Sequence, residues 1–112
     1  MNKKTMQNLI IRTSRGEYCP VKIDDILFLE SVKGRTKIYL MNGDLHVNYS
    51  IPNIIEKLGE QFVQCHRKYT VNIEKVTSFN KSELKIDQTI ISLGPKYKQT
   101  FFESMLAKRT LI

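Results

Sequence analysis

Cys65 and His66 are adjacent, and a thiol beside an imidazole is the pair that a cysteine protease uses as nucleophile and base. However, the residues from Phe62 to His66 have the pattern of a β-strand, in which neighbouring side chains point to opposite faces. A thiol and an imidazole on opposite faces cannot share a proton. Cys65 has the same parity as Val63, which predicts a buried structural cysteine.

The sequence contains no other recognisable catalytic or metal-binding pattern. Its two cysteines and two histidines are dispersed, without the C-x-x-C or H-x3-H spacing that brings ligands to a metal. It has no G-x-S-x-G, P-loop or dinucleotide-binding motif. We interpret Glu30 and the pair Asp24-Asp25, which are isolated acids at strand edges, as a solvated charge and a helix cap. We therefore expect no enzyme activity, no metal site and no cofactor.

Basic residues form three clusters, and each cluster follows a predicted strand. The clusters are Lys33-Gly34-Arg35-Thr36-Lys37, His66-Arg67-Lys68 and Gly94-Pro95-Lys96-Tyr97-Lys98. Loops that follow the strands of one sheet can be presented together at one edge of a fold. Arginine offers a bidentate fork to O6 and N7 of guanine, and lysine offers a point charge to phosphate. Glycines in two of the clusters would let the backbone approach DNA closely. The alternative for any one cluster alone is a solvated loop.

Composition and charge agree with a small folded domain that binds a polyanion. The 112 residues are 41% hydrophobic and carry a formal net charge of +7, an excess that favours nucleic acid or an anionic membrane as partner. We expect one domain over residues 1–112, with its core at about 8–105. The apolar run Leu9-Ile10-Ile11 is too short for a signal peptide, and no run approaches the ~20 residues of a membrane span. We therefore expect a cytoplasmic protein with reduced cysteines and no membrane partner.

Short segments with period-2 alternation, separated by turn signals, predict the elements that position these clusters. The predicted strands are 9–12, 17–23, 26–29, 37–41, 44–49, 62–66, 76–79, 84–87 and 90–93. The continuously apolar strand 26–29 should be covered on both faces. Asn42-Gly43 is a strong hairpin signal, and Leu45, Val47 and Tyr49 should share one face of the return strand.

Two short helices complete the predicted fold, whose class is mainly β. The first covers about 51–58, with Ser50 as its cap, Pro52 in its first turn and Gly59 at its end. The second covers about 96–108, and its apolar stripe of Tyr97, Phe101, Met105 and Leu106 is interpreted as core packing rather than a partner groove. Asp24-Asp25 should start a single helical turn.

Four segments in this order resemble the signatures of the LytTR family. They are Asp25-Ile26-Leu27-Phe28-Leu29-Glu30-Ser31, then Gly34-Arg35, then Phe62-Val63-Gln64-Cys65-His66-Arg67-Lys68-Tyr69-Thr70-Val71-Asn72, and finally Lys96-Tyr97. The third segment, read as F-V-x-C-H-R-x-Y-x-V-N, is the most specific of the four. The resemblance covers roughly residues 8 to 105.

The resemblance implies a DNA-binding output module of a bacterial response regulator, with an elongated, mostly β fold whose loops enter successive major grooves. Carried over by position, it implies base-reading roles for Arg35, Arg67 and Lys96. It implies phosphate contacts for Lys33, Thr36, Lys37, Lys68 and Lys98. Asn72 would stabilise its own turn. The third loop reads Gly94-Pro95-Lys96 where the family usually has Ser before Arg or Lys, so a phosphate contact is the alternative role for Lys96.

The partner implied by the resemblance is double-stranded DNA, and direct-repeat sites are expected because the sequence shows no leucine zipper or other dimer seam. A receiver or other regulatory domain, attached or separate, is a further partner. The chain is then either a stand-alone regulator or the excised C-terminal half of a longer one. Two alternative functions remain. One is a protein-interaction module whose basic loops dock an acidic partner, and the other is a small RNA-binding β domain.

Overall fold

A computed structural model describes residues 8–112, and strands make up most of its regular structure, which confirms the mainly β class. The strands are β1 Asn8–Arg12, β2 Tyr18–Lys22, β3 Ile26–Val32, β4 Arg35–Leu40, β5 Gly43–Val47, β6 Phe62–Gln64, β7 Tyr69–Asn72, β8 Val76–Phe79, β9 Glu83–Ile86 and β10 Thr89–Ser92. The helices are α1 Ile51–Ile55 and α2 Lys98–Leu106, and 3-10 turns cover Ile23–Asp25, Ile73–Lys75 and Pro95–Tyr97.

A five-stranded antiparallel sheet, in the order β5-β4-β3-β7-β6, lies at the centre of the molecule. Its middle strand β3 has a register shift between Ile26 and Phe28. As a result, Ile26 and Leu29 pack into one hydrophobic core, whereas Phe28 packs into the other. This confirms that the strand is covered on both faces.

The two cores lie on opposite faces of this sheet. The first contains residues of the β1–β2 hairpin and of α1, and the second contains residues of the three-stranded sheet β10-β9-β8 and of α2. The molecule measures 45 × 40 × 24 Å, so these layers form a slab. Its long edges are therefore wide enough to carry several loops side by side.

The first basic cluster is mostly strand, which corrects its prediction as a loop. β3 continues to Val32 and pairs there with Arg35, the first residue of β4. The two-residue turn between them is Lys33-Gly34, with φ angles of 53° and 80°, and two positive φ values are the pattern of a type I′ hairpin turn. Arg35, Thr36 and Lys37 consequently alternate between the two faces of the sheet.

The turn between β4 and β5 also differs from the prediction, by one residue. Leu40 pairs with Gly43, so the turn residues are Met41 and Asn42 rather than Asn42 and Gly43. This register places Leu45 opposite Ile38 and brings both to the first core. Val47 is buried on the same face, whereas the side chain of Tyr49 is 49% exposed.

Both helices are shorter than predicted, and two predicted caps are wrong. Ser50 precedes α1 but makes no capping hydrogen bond with its side chain. Asp24 and Asp25 lie inside the 3-10 turn that Lys22 precedes, so neither side chain caps it. In α2, Phe101 and Met105 are buried as predicted, but Leu106 is exposed.

The predicted signal-peptide exclusion rests partly on residues 1–7, which lie outside the described residues. Within residues 8–112, no helix is long and apolar enough to cross a membrane. Over the same range, no three His, Cys, Asp or Glu side chains are grouped so that they could hold a metal ion.

Candidate nucleic-acid interface

The three basic clusters meet at one edge of the five-stranded sheet, namely the edge formed by the ends of its strands and the turns that join them. Because the strands are antiparallel, the end of β3, the start of β4, the end of β5, the end of β6 and the start of β7 all lie at this edge. The β3–β4 turn and the β6–β7 turn are therefore neighbours. Neighbouring strands are ~4.8 Å apart, so the centres of these two turns are about 10 Å apart along the edge. We call this edge, with its turns, the basic edge.

Arg67 lies in the turn between β6 and β7, and its neighbours fix that turn. Backbone hydrogen bonds close the turn from Cys65 N to Tyr69 O and from Tyr69 N to His66 O, both at 3.1 Å. The ring of His66 accepts a hydrogen bond at Nδ1 from the backbone N–H of Lys68, also at 3.1 Å. Arg67 itself is exposed. The turn thus presents an exposed guanidinium from an ordered backbone.

Two further hydrogen bonds connect the β6–β7 turn to the segments on either side of it. The N–H of Ser31, near the end of β3, donates to Lys68 O at 2.8 Å, and the N–H of Gly94 donates to Cys65 O at 2.8 Å. A Cβ at position 94 would lie 3.1 Å from the ring of Tyr97 and 3.7 Å from His66 Cα. Glycine therefore allows a close approach between two protein segments here.

Glu30 lies beside Lys68 on the inner part of this edge. One carboxylate oxygen of Glu30 accepts a hydrogen bond from the Tyr39 hydroxyl at 2.7 Å. The other oxygen is 3.7 Å from Lys68 Nζ, and the exposed fractions of the two side chains are 16% for Glu30 and 49% for Lys68. Glu30 is thus a partly buried hydrogen-bond acceptor, and its interpretation as a solvated charge is wrong.

Burial and the Glu30 carboxylate also raise the pKa values of Tyr39 and Tyr69. Desolvation is the main reason that the pKa values of Tyr39 and Tyr69 are raised, and hydrogen bonding or proximity to Glu30 adds to the effect. Both phenols are therefore neutral at physiological pH. Tyr39 in turn stacks on Phe28, with ring centroids 4.2 Å apart, which anchors the network to the core.

Lys37 points outward from β4 but contacts protein groups. Its Nζ lies 4.7 Å from the centre of the Tyr39 ring and 4.0 Å from a carboxylate oxygen of Asp44. Its side-chain interaction with Tyr39 is the largest of the effects that raise the pKa of Lys37, and Asp44 contributes in the same direction. Lys37 is therefore a firmly charged cation held against the sheet.

The remaining predicted site residues differ in their exposure. Lys33, Arg35 and Lys96 are exposed and Lys98 is partly buried. Thr36 faces the first core with 1% exposure, and its hydroxyl donates to Tyr49 O at 2.7 Å. The Thr36 hydroxyl is not available to a phosphate, because strand alternation turns this side chain inward.

Cys65 and Asn72, both in segment 62–72, have structural roles, as predicted. Cys65 is fully buried, and burial raises the pKa of its thiol to about 12. Asn72 is also fully buried, and its Oδ1 accepts from Glu74 N at 3.1 Å within the following turn. Its Nδ2 donates to Ile26 O at 2.9 Å, which links β7 to the start of β3.

Sequence reasoning missed the roles of Glu30 and Tyr39 at this edge. The parity of Glu30 with Phe28 was a usable signal, since residues two apart on a strand share a face. Its partner Lys68 is far away in sequence, and nothing in the local pattern indicates that contact.

Comparison with known proteins gives two matches. A family model described as the LytTr DNA-binding domain matches residues 16–105. Among solved structures, the chain is similar to the LytTr DNA-binding domain of a protein described as a methyl-accepting/DNA response regulator from Bacillus cereus. The TM-score is 0.70 at 21% sequence identity, and the match covers 93% of this chain and 98% of the other. At this identity the structural match supports the fold. A search of curated proteins returned no match.

Proposed function

The chain belongs to the LytTR family of DNA-binding domains, and from this membership we propose that it binds double-stranded DNA sequence-specifically and regulates transcription. The family is one of DNA-binding rather than catalytic domains, which fits the expectation of no enzyme activity. The observation that carries the proposal is the basic edge, where three basic segments are joined by backbone hydrogen bonds.

The size of the molecule supports binding across more than one groove. One turn of B-DNA rises ~34 Å, and the longest dimension of the slab is 45 Å. The β3–β4 and β6–β7 turns are about 10 Å apart and would share one major groove, so a contact in the next groove would come from a segment farther along the slab. The type I′ turn between β3 and β4 and the hydrogen-bonded turn between β6 and β7 protrude from the sheet, so they suit entry into a major groove ~12 Å wide.

Arg35 and Arg67 are the proposed base-reading residues. Both are exposed on or beside ordered turns, and a guanidinium can bond O6 and N7 of one guanine at the same time. Lys96 is a third contact, to a base or to a phosphate. The phosphate contacts are Lys33, Lys37, Lys68 and Lys98. Thr36 is not included, since its hydroxyl is occupied inside the fold.

A salt titration tests the proposal that duplex DNA is the ligand. If about six phosphates are neutralised, the logarithm of affinity should fall with the logarithm of salt concentration with a slope of roughly −5. The probes are a mixed-sequence duplex, a single-stranded RNA and polyglutamate as an acidic partner. A duplex slope near zero would overturn the proposal, and preferred binding of polyglutamate or of RNA would select one of the alternative functions.

Specificity is tested on a site selected from a random duplex library, with a scrambled duplex for comparison. Arg35→Ala and Arg67→Ala should each cost roughly 1–3 kcal/mol on the selected site and little on the scrambled duplex. Lys68→Ala should weaken both duplexes about equally and make the salt slope shallower by roughly one unit. Lys22→Ala is the matched control, because Lys22 is an exposed lysine at the end of β2 that is farthest from the β1–β2 turn.

Two outcomes contradict these roles. If Lys68→Ala relaxes specificity while Arg67→Ala weakens every duplex equally, the roles of the two residues are exchanged. If none of the variants differs from Lys22→Ala, the basic edge does not face DNA. Thermal melts of each variant show first that it is folded.

Direct-repeat sites and a receiver or other regulatory domain complete the proposal. Selected sites should contain repeats in the same orientation, and the protein should remain monomeric in sedimentation without DNA. Perfect inverted repeats bound only by a stable dimer would contradict the direct-repeat arrangement.

A further inference from the structure

The turn of the β1–β2 hairpin lies at the same edge as the basic clusters. Its residue Ser14 donates its backbone N–H to His46 O in β5 at 2.7 Å. The turn is closed from Thr13 N to Glu17 O at 2.8 Å, and Thr13 Oγ1 accepts from Glu17 N at 3.1 Å. Gly16 has a φ of +85°, which this turn requires. The turn is therefore an ordered fourth segment of the edge.

A cleft of about 400 Å³ separates this turn from the Lys33-Gly34 turn. Its lining residues are Ser14 of the hairpin turn, Val32, Lys33, Arg35 and Thr36 around the β3–β4 turn, and His46 and Val47 of β5. Thr36 and Val47 face the first core, so strand alternation directs the side chains of Arg35 and His46 to the opposite face. The groups left to serve the cleft are the Ser14 hydroxyl and the Lys33 ammonium. Asp44 is the acidic neighbour of the imidazole, at 3.8 Å from His46 Nε2.

These groups suit a tetrahedral oxyanion. A phosphate group presents several acceptor oxygens, and donors from different segments can bind them separately. The cleft also exceeds the volume of such a group, since one water occupies only ~30 Å³ in the liquid. Arg15 follows Ser14 in the same turn and is exposed, so it offers a second positive charge near the opening.

We infer that this cleft binds one phosphate of the DNA backbone, with Ser14 and Lys33 as donors and Arg15 as an additional cation. The inference rests on the proposed function, because it takes the DNA backbone as the source of the phosphate. The cleft adjoins Arg35 and Lys33, so a phosphate bound there would fix the position of the β3–β4 turn relative to the duplex. The contact would raise affinity for every sequence rather than for one.

The test compares Arg15→Gln and Ser14→Ala with Lys22→Gln. Arg15 and Lys22 are exposed cations of the same hairpin, but the length of β2, at ~3.4 Å per residue, separates them by more than about 15 Å. On a mixed-sequence duplex, Arg15→Gln should make the salt slope shallower by roughly one unit. Ser14→Ala should weaken binding roughly 3- to 10-fold without changing the slope, because it removes one neutral donor. Lys22→Gln should leave the slope unchanged.

The outcomes separate this inference from the proposed function. If wild type binds duplex with a steep slope, and Arg15→Gln and Ser14→Ala behave like Lys22→Gln, the cleft assignment is wrong and duplex binding stands. If wild type does not bind duplex, the proposed function fails first. Inorganic phosphate at constant ionic strength provides the second arm. A melting temperature that rises with phosphate in wild type but not in Ser14→Ala, together with duplex binding by Arg15→Gln and Ser14→Ala that matches Lys22→Gln, would make the cleft a free-anion site and overturn the assignment to DNA.

Discussion

Replacing Glu30 with glutamine should strengthen binding to every duplex. The substitution removes the negative charge that lies 3.7 Å from Lys68 Nζ. It keeps a side-chain oxygen that can accept the hydrogen bond from the Tyr39 hydroxyl. If Lys68 binds a DNA phosphate as proposed, Glu30 and that phosphate compete for the same ammonium group, and the loss of the carboxylate leaves Lys68 to the DNA.

The expected gain follows from Coulomb's law. A phosphate oxygen bound on the far side of Lys68 Nζ would lie about 2.8 Å beyond it, hence roughly 6.5 Å from the Glu30 carboxylate. The repulsion that Glu30→Gln removes is then about 0.6 kcal/mol at the dielectric constant of water and larger in a partly excluded interface. Binding should therefore tighten about threefold or more, and less at high salt. The lost ion pair should cost the fold less than about 1 kcal/mol, because Lys68 is half exposed.

Fluorescence anisotropy with the selected and scrambled duplexes measures this gain. Glu74→Gln is the matched control: Glu74 is an exposed acid in the 3-10 turn at the opposite end of β7, more than ~10 Å from the basic edge and so largely screened at 0.1 M salt. Equal gains in both variants would show only a net-charge effect. Weaker binding by Glu30→Gln would refute the reasoning, since the carboxylate would then be orienting Lys68 rather than competing for it.

Three other substitutions test the assigned structural roles through urea denaturation. Thr36→Val should destabilise the fold by about 1 kcal/mol, because the hydrogen bond to Tyr49 O is lost, and should leave duplex affinity unchanged; a loss of affinity in the folded variant would restore Thr36 to the interface. Cys65→Ser should cost about 1–3 kcal/mol without altering the preferred site, and a stable variant that selects a different site would contradict a structural cysteine. Burial raises the pKa of the Cys65 thiol from 9.0 to about 12, so the unfolded chain ionises this thiol first. The free energy of unfolding of wild type should therefore fall by roughly 1.4 kcal/mol per pH unit above pH 9 relative to that of Cys65→Ser. Parallel pH profiles of the two proteins would contradict the shift. Asn72→Ala should cost about 2 kcal/mol or more, since it leaves Ile26 O without its side-chain donor inside the fold, and a cost near zero would show that the link from β7 to β3 is dispensable.

The alternation of apolar residues was sufficient to predict most strands and the mainly β class. The same alternation also bears on the first basic cluster. Thr36, Ile38 and Leu40 have one parity, and this parity places Thr36 inside the fold. The density of charge around Lys33 and Arg35 suggested a loop, but a type I′ turn needs only two residues. Strand pairing therefore extended further into the cluster than its hydrophilic composition indicated.

Contacts between distant segments are the part that the sequence could not supply. The Asn42-Gly43 turn signal was overruled because the register that buries Ile38 against Leu45 places the turn one residue earlier. The position of Lys68 beside Glu30 depends on the pairing of β3 with β7. Such pairings are set by the packing of whole sheets, and local propensity does not encode them.

The hydrogen bonds from Ser31 N and Gly94 N to the β6–β7 turn have a consequence for how binding sites can evolve. They tie together the three basic segments of residues 8–112, so under the proposed function the base-reading side chains would keep a fixed spacing when the operator length changes. Inserting one base pair between two contacted positions moves them apart by ~3.4 Å and rotates them by about a tenth of a turn. Under the proposed function, an operator would diverge by base substitution within a contacted position, whereas a single insertion or deletion between such positions would remove one contact.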